Sequence, residues 1–133
     1  MIAGSSSSNI ATTGYTARAV GILTLVEAVP EIVNISNVAG IQVSNVNKEN
    51  ITSALFLSLS KQINDTIARA VVSHGTNVSE ETAFFLDATV NCGKPVISVS
   101  AMRPSTAISA DGPFNLLEAV TISASSLPGI VGL

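Results

Sequence analysis

The stretch VVSHGTNVSEETAFFLDAT, residues 71–89, decides how this chain folds. It opens within a short apolar strand, residues 70–73, that breaks at His74-Gly75 and then changes period. Asn77 stands where a helix cap belongs, and Glu80 follows three positions later, the spacing of a capping box. The helix so begun is expected to bury Phe84, Phe85 and Ala88 and to stop near Asn91-Cys92-Gly93. A strand that turns through glycine directly into a helix is half of a parallel crossover, because parallel neighbours need a long connection between them.

The alternation continues in both directions. Upstream, residues 18–28 follow helical spacing, with Val20, Leu23 and Ala28 joined by Ile22 and Val26 in an apolar stripe that Pro30 stops. Residues 40–46 are a β-branched run and read as a strand. Residues 50–69 read as a long helix capped by Asn50 or Thr52, with Leu55, Leu59, Ile63 and Ile67 at four-residue spacing. Downstream, residues 95–99 read as a strand, and Gly112-Pro113 opens a helix over residues 114–123. Residues 130–133 read as a last short strand, and the serine-rich residues 5–13 as a mobile loop. This order predicts an α/β fold, a three-layer α/β/α arrangement around a mostly parallel sheet. The polar motifs fall just after strand ends, where open α/β sheets carry their sites.

The 133 residues suffice for one domain. Hydrophobic residues make up 47% and charged residues only 11%, less than half the usual fraction of about 25%. Apolar surface is therefore expected to meet a partner, and self-association or a homo-oligomer is the expected form. A net charge of −3 with scattered Lys and Arg gives no basic footprint for nucleic acid. No apolar run reaches the roughly 20 residues of a membrane span; residues 20–33 are interrupted by Glu27, Pro30 and Glu31. One cysteine, Cys92, and one histidine, His74, cannot build an ordinary metal site, and Cys92 is expected to be a small, half-buried residue. No basic-then-apolar start marks a secretory signal. Sequons at Asn34, Asn50, Asn64 and Asn77 are compatible with a secreted or periplasmic ancestor. No dinucleotide or phosphate-loop motif is present, and no cofactor is implied.

A second stretch, SAMRPSTAISADGPFN at residues 100–115, completes a pattern. HGT at 74–76, EETAFFL at 80–86, AMRP at 101–104 and SADGPFN at 109–115 stand in order. They resemble the HGTDT, EETAYFL, GAMRP and SADGPxN motifs of the bacterial-type, type II-like L-asparaginases and glutaminase-asparaginases. Residues 1–133 would then be part of that family's N-terminal α/β domain, lacking its first strand and its C-terminal domain.

The resemblance implies acyl transfer through a threonine hydroxyl. The oxygen attacks the side-chain amide of L-asparagine, ammonia leaves, and water hydrolyses the acyl-enzyme. It implies catalytic roles for Thr76 and for Tyr15, the counterpart of a mobile-loop tyrosine. Substrate-binding positions would be Asn77, where the family has aspartate, Lys48, where it has serine, and Ala101, whose carbonyl faces the amide. Met1 occupies the position of the family's other threonine and is a degenerate nucleophile position, since a thioether neither attacks nor transfers a proton. Arg103, Asp111 and Asn115 match residues that organise a loop and the next helix, and the family's catalytic lysine would lie beyond residue 133. The expected function is that of an L-asparaginase relative with impaired catalysis. The alternative is a non-catalytic pseudoenzyme or gene fragment serving as a binding or assembly module, with unpaired strand edges that favour association. A generic α/β binding domain explains the loop motifs least well.

Overall fold

The computed structural model describes residues 21–46, 50–66, 68–125 and 130–132. Among the described residues, three parallel strands form one sheet in the order β1-β2-β3: β1 (Ala70–Ser73), β2 (Val96–Val99) and β3 (Ile130–Gly132). Four described α-helices accompany them: α1 (Ile22–Glu27), α2 (Ser53–Asp65), α3 (Ser79–Thr89) and α4 (Gly112–Ala124).

Strand β2 is buried along its whole length and pairs on both sides, Ala70 with Val96 through Ser73 with Val99, and Val96 with Ile130 through Ser98 with Gly132. Alternate residues of a strand point to opposite faces, and the core divides accordingly. Ile97 and Val99, with half-buried Val71, meet Leu25, Val29, Ile32, Leu116, Ala119 and Val120 on one face. Val96, with Ala70 and Val72, meets Ile63, Leu86 and Leu59 on the other. Helices α1 and α4 thus cover one side and α2 and α3 the other, which is the expected three-layer α/β/α arrangement with a parallel sheet.

Local chemistry explains the boundaries. Thr52 caps α2, its hydroxyl accepting the N–H of Leu55 at 3.4 Å. The expected stripe holds, with Ile63 buried and Leu55 and Leu59 half-buried, but α2 ends at Asp65 rather than residue 69. There Thr66 turns its hydroxyl back to the Gln62 carbonyl at 2.7 Å, and Lys94 reaches the Thr66 carbonyl at 2.5 Å. The Asn64 side chain ties α2 to the α3–β2 turn, donating to the Thr89 carbonyl at 3.1 Å and accepting the Asn91 N–H at 2.9 Å. Gly93 closes that turn at φ +67°, a conformation that a Cβ disfavours. Arg69 donates to the carbonyls of Ser123 and Ser125 at 2.6 Å each, satisfying the C-terminal end of α4. Proline at the start of α4 stands where a missing N–H costs nothing.

Four expectations are corrected. Residues 40–46 form no strand: they lie beside α1, with the Gln42 side chain accepting the Ile22 N–H at 3.1 Å, and no described strand pairs with them. Helix α3 begins after Val78, so Asn77 lies in a 3₁₀ turn (Thr76–Val78) and caps nothing. Its buried face is Thr82 and Leu86, whereas Phe84 and Ala88 are exposed and Phe85 is half-buried, stacked on Phe56 at 5.3 Å. In α1, likewise, the buried residue is Leu25, joined by Val29 just past the helix end, while Leu23 and Ala28 face out. Residues 5–13, 18–20 and Ile67 lie outside the described residues, whereas Cys92 is half-buried as expected.

The α3 correction has a direct test in urea unfolding. Leu86→Ala should lower stability by about 2–5 kcal/mol through lost burial and the cavity left behind, whereas Phe84→Ala should change it by less than about 0.5 kcal/mol.

Candidate active site

The two loops that leave β1 and β2 at their carboxyl ends lie side by side because the ladder continues one residue past the strands. The His74 N–H donates to the Val99 carbonyl at 2.8 Å. This places His74-Gly75-Thr76-Asn77 next to Ser100-Ala101-Met102-Arg103. Thr76, Asn77 and Ala101 all line one cavity of about 640 Å³ that extends along β1.

Thr76 is half-buried at the start of the 3₁₀ turn, and its carbonyl accepts the Ser79 hydroxyl at 3.1 Å. No described residue hydrogen-bonds its own hydroxyl, which leaves that oxygen available to the cavity. Asn77 is exposed at the rim, and Ala101 is buried. Of the remaining site positions read from the sequence, Met1, Tyr15 and Lys48 lie outside the described residues.

The second loop is clamped from α4. The Asp111 carboxylate accepts the backbone N–H groups of Met102 at 2.9 Å and Arg103 at 3.0 Å. Arg103 in turn donates to the Ser109 carbonyl at 3.1 Å, and the Asn115 amide donates to the Ser100 carbonyl at 2.9 Å. The peptides on either side of Ala101 are therefore held from the same helix. Asp111 sits at the N-cap of α4 but spends its side chain on the loop rather than on its own helix.

His74 holds the first loop. Its Nδ1 lies 2.7 Å from the Gly75 carbonyl, and its Nε2 lies 3.0 Å from the Thr82 hydroxyl. A carbonyl only accepts, so in the neutral ring Nδ1 carries the proton and Nε2 accepts from Thr82. The Thr82 hydroxyl is also 2.8 Å from the Val78 carbonyl, and its single proton cannot serve both acceptors. An imidazolium would satisfy every one of these contacts, so hydrogen bonding favours the charged ring while burial opposes it. Burial wins: the His74 pKa is lowered from its ordinary value of 6.5, with the Gly75 carbonyl and Glu81 pulling the other way. Thr82, fully buried, was not legible as a site residue; its only signal was a threonine inside an otherwise apolar helix face. Among the described residues no cluster of three or more His, Cys, Asp or Glu side chains could hold a metal ion.

The Thr76 hydroxyl and the clamped loop both lie beyond the carboxyl ends of parallel strands, where open α/β sheets bind their ligands. The family model described as "Asparaginase, N-terminal" matches residues 1–132. "Probable L-asparaginase 1" of Schizosaccharomyces pombe is 55% identical over 130 residues, covering 94% of this chain and 36% of that protein. "L-asparaginase 2" of Bacillus subtilis is 50% identical over 127 residues, covering 92% of this chain and 34% of that protein. A crystal structure of a probable cytoplasmic L-asparaginase from Campylobacter jejuni superposes with a TM-score of 0.91 at 43% identity, covering 97% of this chain and 42% of that one. The chain belongs to the asparaginase family, and it spans about a third of the length of these curated relatives.

Two measurements test the clamps. Asp111→Ala should destabilise the chain by about 1–3 kcal/mol, since two backbone donors lose a charged acceptor, with Asp111→Asn intermediate in urea unfolding. Because the native ring resists protonation, the unfolded chain binds more protons below pH 6.5. The His74 contribution should therefore be intact above that pH and lost as pH falls from 6.5 towards the lowered native pKa. His74→Gln should flatten this part of the unfolding pH profile.

Proposed function

We propose that this chain carries the asparaginase-type amidohydrolase site in an impaired form. The supporting observation is the Thr76 hydroxyl: it has no described partner and opens to the cavity that Ala101 and Asn77 also line. In the reaction so proposed, the Thr76 oxygen attacks the side-chain amide carbon of L-asparagine and ammonia departs. Water then releases L-aspartate from the acyl-enzyme. The Ala101 carbonyl and the Asn77 side chain would orient the substrate.

Impairment follows from proton handling. A threonine hydroxyl needs a base to become a competent nucleophile. His74, the nearest titratable ring in sequence, has both nitrogens engaged, by Gly75 and Thr82. Asn77 stands where the resemblance expects a carboxylate; being neutral, it neither accepts a proton nor pairs with the substrate's α-ammonium. Met1 replaces the family's other threonine. Groups of such a set act together, and losing one commonly costs orders of magnitude in rate.

Ammonia release from L-asparagine by the purified chain, with Thr76→Ala as control, tests this reading. The expected result is release at or near background. A turnover within tenfold of a typical enzyme rate, about 10 per second, that disappears in Thr76→Ala would overturn the impairment and establish Thr76 as a self-sufficient nucleophile.

A further inference from the structure

The turn that carries Thr76 is pinned at both ends to a single atom. His74 stands two residues before Thr76, and Val78 two residues after it. The His74 Nε2 lies 3.0 Å from the Thr82 hydroxyl oxygen, and the Val78 carbonyl lies 2.8 Å from the same oxygen. Thr82 is fully buried in α3, so no bulk water competes for that oxygen. The Val78 carbonyl, at the N-cap of α3, already receives the first backbone N–H of the helix. Nε2 has no other donor among the described residues. The single hydroxyl proton of Thr82 is therefore spent on the ring. The ring's own proton then sits on Nδ1, aimed at the Gly75 carbonyl 2.7 Å away. That carbonyl belongs to the peptide joining Gly75 to Thr76.

We propose that Thr82 is a positioning residue for Thr76 and acts through the His74 ring. Its hydroxyl fixes which ring nitrogen carries the proton, and that proton in turn holds the Gly75–Thr76 peptide. Without the hydroxyl, Nε2 is a half-buried acceptor with no donor, and the ring answers by moving its proton there. Nδ1 then presents a lone pair to the Gly75 carbonyl oxygen, and two acceptors that close repel. The peptide turns away, and Thr76 loses its fixed place at the cavity. This role for Thr82 rests on the reading of Thr76 as the nucleophile, whereas the brace itself is detectable without turnover.

His74 is the only histidine in the chain, so the ring nitrogen signals of an isotopically labelled sample belong to it alone. Proton–nitrogen correlation spectra at about pH 8, where a ring with a lowered pKa is neutral, should place the proton on Nδ1 in the native chain. Thr82→Ser should keep that form. Thr82→Val, which preserves the shape and removes the hydroxyl, should shift the proton to Nε2. Amide hydrogen exchange at Thr76 and Asn77 should rise about tenfold in Thr82→Val and not in Thr82→Ser, as expected for one lost hydrogen bond. The reference is the β2 amides, Val96–Val99, which report opening of the whole sheet. A native ring protonated on Nε2, or a Thr82→Val ring that keeps the native form, would overturn the proposal. So would exchange that rises equally in the turn and in β2, because Thr82 would then serve only the packing of α3. None of these signals depends on turnover, so they fail separately from the ammonia assay.

Discussion

Everything in this molecule depends on the burial of β2. Four consecutive residues, Val96–Val99, are shielded on both faces and hydrogen-bonded along both edges. A strand in that position cannot alternate polar and apolar residues, so it reads as a continuous apolar run; even Ser98 is buried. The requirement for cover on both faces recruits α4 and α1 to one side and α2 and α3 to the other. Its edges are filled by β1 and β3, which the crossover helices α3 and α4 bring alongside in parallel, and parallel alignment puts the loops after β1 and β2 at the same end of the sheet. The candidate site is a by-product of that alignment.

What was legible in the sequence is what this constraint makes redundant. Leu55, Leu59 and Ile63 keep one spacing over a helix long enough to fix its face, and Thr52 and Pro113 announce helix starts by local chemistry. The failures share a physical cause. In α3 two phenylalanines are adjacent, and hydrophobicity alone does not choose between Phe84, Phe85 and Leu86; contact with β2 does, and it selects Leu86. Residues 40–46 have the composition of a strand, but strand formation requires a neighbour, which is a tertiary fact. The capping box at Asn77 fails by one residue because the turn after Gly75 is 3₁₀.

The site shows the same division. Its motifs were visible, whereas the way its parts support one another was not. Asp111 is expected only to help organise a loop and the next helix, and the fold shows how: its carboxylate crosses to the backbone N–H groups of Met102 and Arg103. His74 reads as a turn residue, and only the fold reveals that Thr82, eight residues away, completes its hydrogen bonding. Family membership rests on the loops and the fold together, while the chemistry depends on a handful of proton-bearing groups.

The parallel pairing of the described strands also bears on how the chain finds its structure. Val96 pairs with Ala70, 26 positions earlier, and Ile130 pairs with Val96 across 34 positions. No tight hairpin can seed either pairing, so each must await a loop closure whose entropy no short-range contact offsets. Of the described strands β2 is the one packed on its own following helix, α4, through Ile97 and Val99 against Leu116, Ala119 and Val120. Pairing of this non-local kind predicts slow folding, with β2 exposed until its neighbours arrive.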